Sequence, residues 1–165
     1  TTGKKKYAQY QEEIEELLSK AEQLSKELMT YMDKDAESFE PLSKAYGLPK
    51  DTKEQQEYKE AVMEKALKEA SLTPVALMEK ILEALKILER LSVVGSRLAI
   101  SDVGAGVQLC KAALNGASLN VFINTKLMKD RELAEDMNFK ADKMLAEAAQ
   151  IEEETFGRVM DAVRP

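Results

Sequence analysis

Between Tyr7 and Tyr31 apolar residues recur in alternating steps of three and four: Tyr7, Tyr10, Ile14, Leu17, Ala21, Leu24, Leu28 and Tyr31. That spacing puts all eight on one stripe of an α-helix, whereas a strand would need alternation at every residue. At the α-helical rise the stripe is about 37 Å long. Glu12, Glu13, Glu15, Glu16, Lys20, Glu22 and Lys26 lie between its members as a solvated face. The pattern predicts a helix from about Lys5 to Tyr46, kinked at Pro41 and ended by Gly47 and Pro49. Such a stripe is the heptad seam of an amphipathic helix, and most of its stability must come from packing that face.

The rest of the chain supplies further helices. Thr52 opens a second helix, with Gln55 placed for a capping box and Val62, Ala66, Leu67 and Ala70 on one side. Pro74 marks either a kink or the first turn of a new helix capped by Thr73. The pattern resumes through Met78, Ile81, Leu82, Leu85, Leu88 and Leu91 until Gly95 closes it. Ser101 is the expected N-cap of the next helix, with Asp102 in its first turn, where a negative charge suits the dipole. Val103, Val107, Cys110, Leu114, Ala117 and Val121 form its apolar face. Gly104, Gly106 and Gly116 cost helix stability there and imply close approach by a helix or a ligand. A last helix is expected over about Asp130–Val163, with Leu133, Met137, Met144, Ala148, Ile151, Val159 and Val163 inward. Only "LNVFIN" is ambiguous between helix and strand. The fold expected is an all-α antiparallel bundle of long helices, one domain over residues 1–165.

Composition narrows the chemistry. The chain has no histidine and one cysteine. A Ser-His-Asp triad, a His- or Cys-rich metal site and an intramolecular disulfide are therefore excluded. A net charge of −6 argues against nucleic acid as a partner, and no apolar run is long enough to span a membrane. One cysteine and no export signal make the cytoplasm the expected compartment. The eight methionines read as core filler.

Polar residues interrupt the stripes at two places. Continuing the first stripe past Tyr31 gives Asp35, Ser38 and Leu42. A carboxylate on a buried face would have a raised pKa, which suits a general acid–base at neutral pH. Alternatively, "DKDAES" marks a helix break, with Asp33 or Asp35 exposed to water and capping the next segment. On the helix that begins near Ser101 the heptad Val103, Cys110, Ala117 next reaches Asn124, with Asn120 one turn before it. Two amides there could hydrogen-bond a polar heterocycle, or could cap the helix end and fix register. Cys110, among apolar neighbours, reads as a buried inert thiol.

These residues also carry a resemblance. "GKKKY" before a long helix, "MDKDAESFEPLSKAYGLPKDT", "AISDVGAG" and "ASLNVFIN" occur in the order found in the cyclodeaminase family. That family comprises the C-terminal domain of formiminotransferase-cyclodeaminase and its free-standing bacterial relatives, including methenyltetrahydrofolate cyclohydrolases. The resemblance covers nearly the whole chain. It implies a helical homodimer that converts folate-bound one-carbon units, with a tetrahydrofolate derivative as substrate and no prosthetic group or metal. By resemblance Asp35 is the proton donor and acceptor, and Ser101, Asp102, Asn120 and Asn124 are pocket residues, joined by Ser38 from the stripe. The sequence departs at Gly95-Ser96-Arg97, where relatives often have Gly-Asn. Relatives also begin with a further helix bearing a Pro-Gly-Gly-Gly-Ser-type loop, so the resemblance implies a domain short of that helix. Lys4, Lys5, Lys6, Lys126, Lys129 and Arg131 are the cations available for a folate tail. The alternative is a non-catalytic helical interaction protein. Convergence of Asp35, Ser38, Asn120 and Asn124 on one cavity separates the two.

Overall fold

A computed structural model describes residues 1–165. Four long helices make up the chain: α1 (Gln11–Tyr46), α2 (Lys53–Val94), α3 (Ile100–Thr125) and α4 (Arg131–Val163). Short 3-10 segments, Lys5–Tyr10 and Arg97–Ala99, lead into α1 and α3. There is no strand, and "LNVFIN" lies within α3. The all-α bundle predicted from periodicity is the observed fold.

The local stop and start signals mostly act as expected. Thr52 and Gln55 form the reciprocal capping box, at 3.2 and 3.1 Å. The Asp130 carboxylate accepts from the Leu133 amide at 3.1 Å and starts α4. Gly95 is the C-cap of α2. Ser101, however, is not an N-cap. The 3-10 turn, capped by Ser96, runs straight into α3, and the Ile100 amide donates to the Arg97 carbonyl. Ser101 therefore falls one residue inside the helix. Pro74 neither ends α2 nor starts a new helix. The 42 residues of α2 pass through it and span about 63 Å.

α2 is the central element. It packs against each of the other three long helices, and α3 also packs on α4. The main core gathers around Leu67, Met78, Leu85, Val107, Leu114 and Val121, all essentially inaccessible to solvent. Met128, Met137 and Met144 join it, but Met29 and Met32 are exposed, so the methionines are not all core filler. Val163, the last residue of α4, is exposed as well. Gly104 and Gly106 do mark close approaches: a Cβ there would lie 2.7 Å from a Val159 methyl and 3.1 Å from a Leu88 methyl. A second, smaller cluster of Ile14, Leu17 and Val94 holds the start of α1 to the end of α2. Glu13 with Arg90, and Glu27 with Lys80 at 3.0 Å, tie the same two helices along their polar edges.

Candidate active site

α1 and α3 both lie on α2 and scarcely touch each other. The gap between them is a groove of about 660 Å³. Leu77 and Ile81 of α2 form part of its floor, α1 supplies Tyr31 and Asp35, and α3 supplies Cys110 and Asn120. Asp35 and Asn120 are the two polar residues of an otherwise apolar lining. Helical periodicity explains their placement. The stripe of α1 keeps pointing toward α2, but between Leu24 and Leu42 no residue of α1 is buried. Asp35 therefore faces an open groove instead of a packed core.

This corrects the expected burial. Asp35 and Asn120 are exposed in the single chain, and Ser38 is half-buried. The Ser38 hydroxyl donates to the Asp35 backbone carbonyl at 3.0 Å, within its own helix. Ser38 does not line the groove. Asn124 does not line it either; its side-chain amide donates to the Ala70 carbonyl of α2 at 3.3 Å. Ser101 and Asp102 are exposed in the first turn of α3. Asn120 lies nineteen residues further along α3, about 28 Å away at the helical rise. Of the six expected site residues, one chain brings Asp35 and Asn120 together in this groove.

Other groups at the groove carry no distinct signal in the sequence. Cys110 is half-buried and reaches the lining, and burial pushes its thiol pKa up. It is protonated at neutral pH, as an inert thiol should be. Tyr31, by its spacing only a stripe position, lines the groove as well. The Lys34 ammonium sits 4.9 Å from the Tyr31 ring centroid, which places a cation at the groove rim. Among the cations expected to meet an anionic tail, Lys129 pairs with Glu60. Arg131 donates to the Thr125 and Met128 carbonyls at the end of α3. Their charges are engaged within the fold.

The rims of the groove are apolar. Met32 of α1 and Leu109 of α3 line the groove and are each more than 70% exposed, whereas Met29, Leu119 and Ile123, also exposed, do not line it. Asp102 and Lys111 are the only charged residues among the 26 of α3. A helix apolar on nearly all sides, left open along one face, is suited to contact with another surface.

Comparison with known proteins identifies the family that this geometry belongs to. Residues 1–143 match the formiminotransferase-cyclodeaminase family. The chain belongs to that family. A methenyltetrahydrofolate cyclohydrolase of Methylorubrum extorquens is 34% identical over 163 residues, covering 99% of this chain and 78% of that protein. The formimidoyltransferase-cyclodeaminase of Sus scrofa is 28% identical over 90% of this chain, which spans 27% of that longer protein. The crystal structure of formiminotetrahydrofolate cyclodeaminase from Thermotoga maritima superposes with a TM-score of 0.75. It covers 98% of this chain and 74% of its own at 27% identity. The family thus includes relatives named for two folate one-carbon activities.

Proposed function

We propose that the chain converts a folate-bound one-carbon unit in the α1–α3 groove, with Asp35 as the acid–base group. The observation that carries this reading is a carboxylate and an amide, Asp35 and Asn120, set in an apolar groove of about 660 Å³. A cavity of that size and character suits a drug-sized heterocycle held by few polar groups. The reaction favoured is cyclisation of 5-formiminotetrahydrofolate. N10 forms a bond to the formimino carbon, and the C=N π electrons move onto the formimino nitrogen. Asp35 takes the N10 proton and passes it to that nitrogen. With one further proton from water the C–N bond breaks, ammonia leaves, and 5,10-methenyltetrahydrofolate remains. Such proton transfer is typically worth about 10² to 10⁴ in rate, and holding N10 against the carbon supplies the proximity term.

A second reading is favoured by the Methylorubrum relative, named a methenyltetrahydrofolate cyclohydrolase. Water would then add to the methenyl carbon with Asp35 taking one of its protons; the C–N5 bond of the resulting carbinol breaks as its hydroxyl proton is lost and N5 gains one, giving 10-formyltetrahydrofolate and one net proton. Both reactions pass through a tetrahedral carbon at the same place, so one site serves either.

The apolar rims support a homodimer in which a second copy covers α1 and α3 and closes the groove from water. Ser101 and Asp102 then act on substrate only across that interface, since their own groove is about 28 Å distant. Lys34 at the rim is the cation best placed for the glutamate carboxylates.

The deciding experiment follows the methenyl chromophore with each folate, using wild type and Asp35→Asn. Turnover of one substrate by wild type and a loss of at least about 10²-fold in the variant are expected. Normal turnover by Asp35→Asn would remove Asp35 from the chemistry. Indifference of wild type to both substrates would sink the folate reading.

A further inference from the structure

Two prolines lie inside the long helices, and their surroundings differ. A proline has no N–H, so the carbonyl four residues before it loses its helical donor. In α1, Pro41 deprives Glu37; both residues are exposed, and water can serve the carbonyl. In α2, Pro74 is buried, and the carbonyl it deprives is that of Ala70, only 5% exposed. A buried carbonyl left without a donor is costly. The Asn124 side chain of α3 reaches across and donates to that carbonyl at 3.3 Å.

We infer that Asn124 is a positioning residue: its amide replaces the hydrogen bond that Pro74 removes and latches the end of α3 to the middle of α2. The latch sits at the end of the groove. Asn120, the groove amide, lies one turn before Asn124 on the same helix, and the floor residue Leu77 lies three residues after Pro74. Fixing Ala70 to Asn124 therefore fixes where Asn120 stands relative to the floor. This assigns Asn124 to the protein and not to the substrate, and only the activity arm of its test rests on the folate reading.

The test compares wild type, Asn124→Ala, Pro74→Ala and the double variant of the full chain. Amide hydrogen exchange without ligand is the first readout. Asn124→Ala should speed exchange over residues 70–78 and 120–125 by about tenfold, the effect of losing one buried hydrogen bond. In the Pro74→Ala background residue 74 supplies its own N–H, so adding Asn124→Ala should change exchange by less than about twofold. Equal acceleration in both backgrounds overturns the inference. Should Pro74→Ala not fold, Asn124→Ala alone decides, and unchanged exchange over both segments overturns it.

The second readout is kcat/KM with 5,10-methenyltetrahydrofolate. Asn124→Ala should lower it, and the double variant should match Pro74→Ala alone. A loss that persists undiminished in the Pro74→Ala background would instead mean contact with substrate, against the inference. A wild type inactive on folates removes the proposed reaction but leaves the exchange result to decide the latch.

Discussion

Gly104 and Gly157 are both interior helix glycines, and the same substitution should move stability in opposite directions. Replacing either by alanine relieves the entropic cost of glycine in a helix, about 0.5–1 kcal/mol. At Gly157 a Cβ meets nothing within 4 Å, so that gain is expected in full. At Gly104 the Cβ would lie 2.7 Å from Cγ1 and 3.4 Å from Cβ of Val159. Carbon atoms in contact prefer about 3.5–4.0 Å, so α3 and α4 must part by most of an ångström. Val159 cannot turn aside cheaply, because it is buried and a β-branched side chain in a helix keeps one χ1 rotamer. Overpacking of this kind costs about 1–3 kcal/mol. From the centres of the two ranges the net expectation is a loss of about 1 kcal/mol for Gly104→Ala, against a gain of about 0.5–1 kcal/mol for Gly157→Ala. Urea unfolding followed by circular dichroism measures both. At about 2–4 °C per kcal/mol for a chain of this size, the two melting temperatures should separate by about 3–8 °C. In a Val159→Ala background the obstruction is gone, and Gly104→Ala should then stabilise as Gly157→Ala does. If both substitutions stabilise equally in the native background, α3 and α4 are not in the close contact described.

Acid should loosen α1 from α2. The hydrogen bond from Arg90 holds Glu13 below the ordinary 4.5, and those from Gln23 and then Lys80 do the same for Glu27. A depressed folded pKa gives stability that is present above the unfolded value and lost as pH falls through the folded one. Melting temperature should therefore drop as pH falls below about 4.5, and drop less steeply in a Glu13→Gln/Glu27→Gln variant; identical slopes would exclude these carboxylates as the cause. Lys80, pushed up to about 12 by Glu27 and Glu83, contributes in full below its ordinary 10.5 and loses that contribution only as pH rises through 12. Thr155 is fully buried with a hydroxyl that has no partner. Thr155→Val keeps the shape and removes the unmet group, so a gain of about 1 kcal/mol is expected in urea unfolding.

The helices were legible because their signals are local. Thr52 and Gln55 cap one another three residues apart, and the stripe from Tyr7 to Tyr31 needs only its own spacing. What sequence did not carry was set by distant partners. Pro74 reads as a break because its missing N–H is a local loss; the replacement donor, Asn124, lies 54 residues from the carbonyl it serves. Gly104 and Gly116 look alike on paper. One meets Val159 and the other meets nothing within 4 Å, a difference made by which side of α3 faces α4. Ser101 has ideal N-cap chemistry, yet the 3-10 turn before it had already begun the helix.

Asp35 shows how far periodicity can be pushed. The heptad count says which way a side chain points, and for Asp35 it pointed correctly, toward the gap above α2. It does not say whether anything fills that gap. A stripe position normally becomes core because another helix of the same chain covers it, and α3 stops short of covering α1. The groove exists because α1 and α3 both use α2 as their platform and leave Met32, Leu109, Leu119 and Ile123 facing outward. A carboxylate in such a groove is accessible to substrate but still open to water. Under the proposed homodimer a second copy would cover the rims of the groove. Such closure would exclude water from the groove and strengthen each polar contact inside it. Dilution below the dimer's dissociation constant should then lower activity per chain. An activity per chain that ignores concentration across the monomer–dimer transition would refute this coupling.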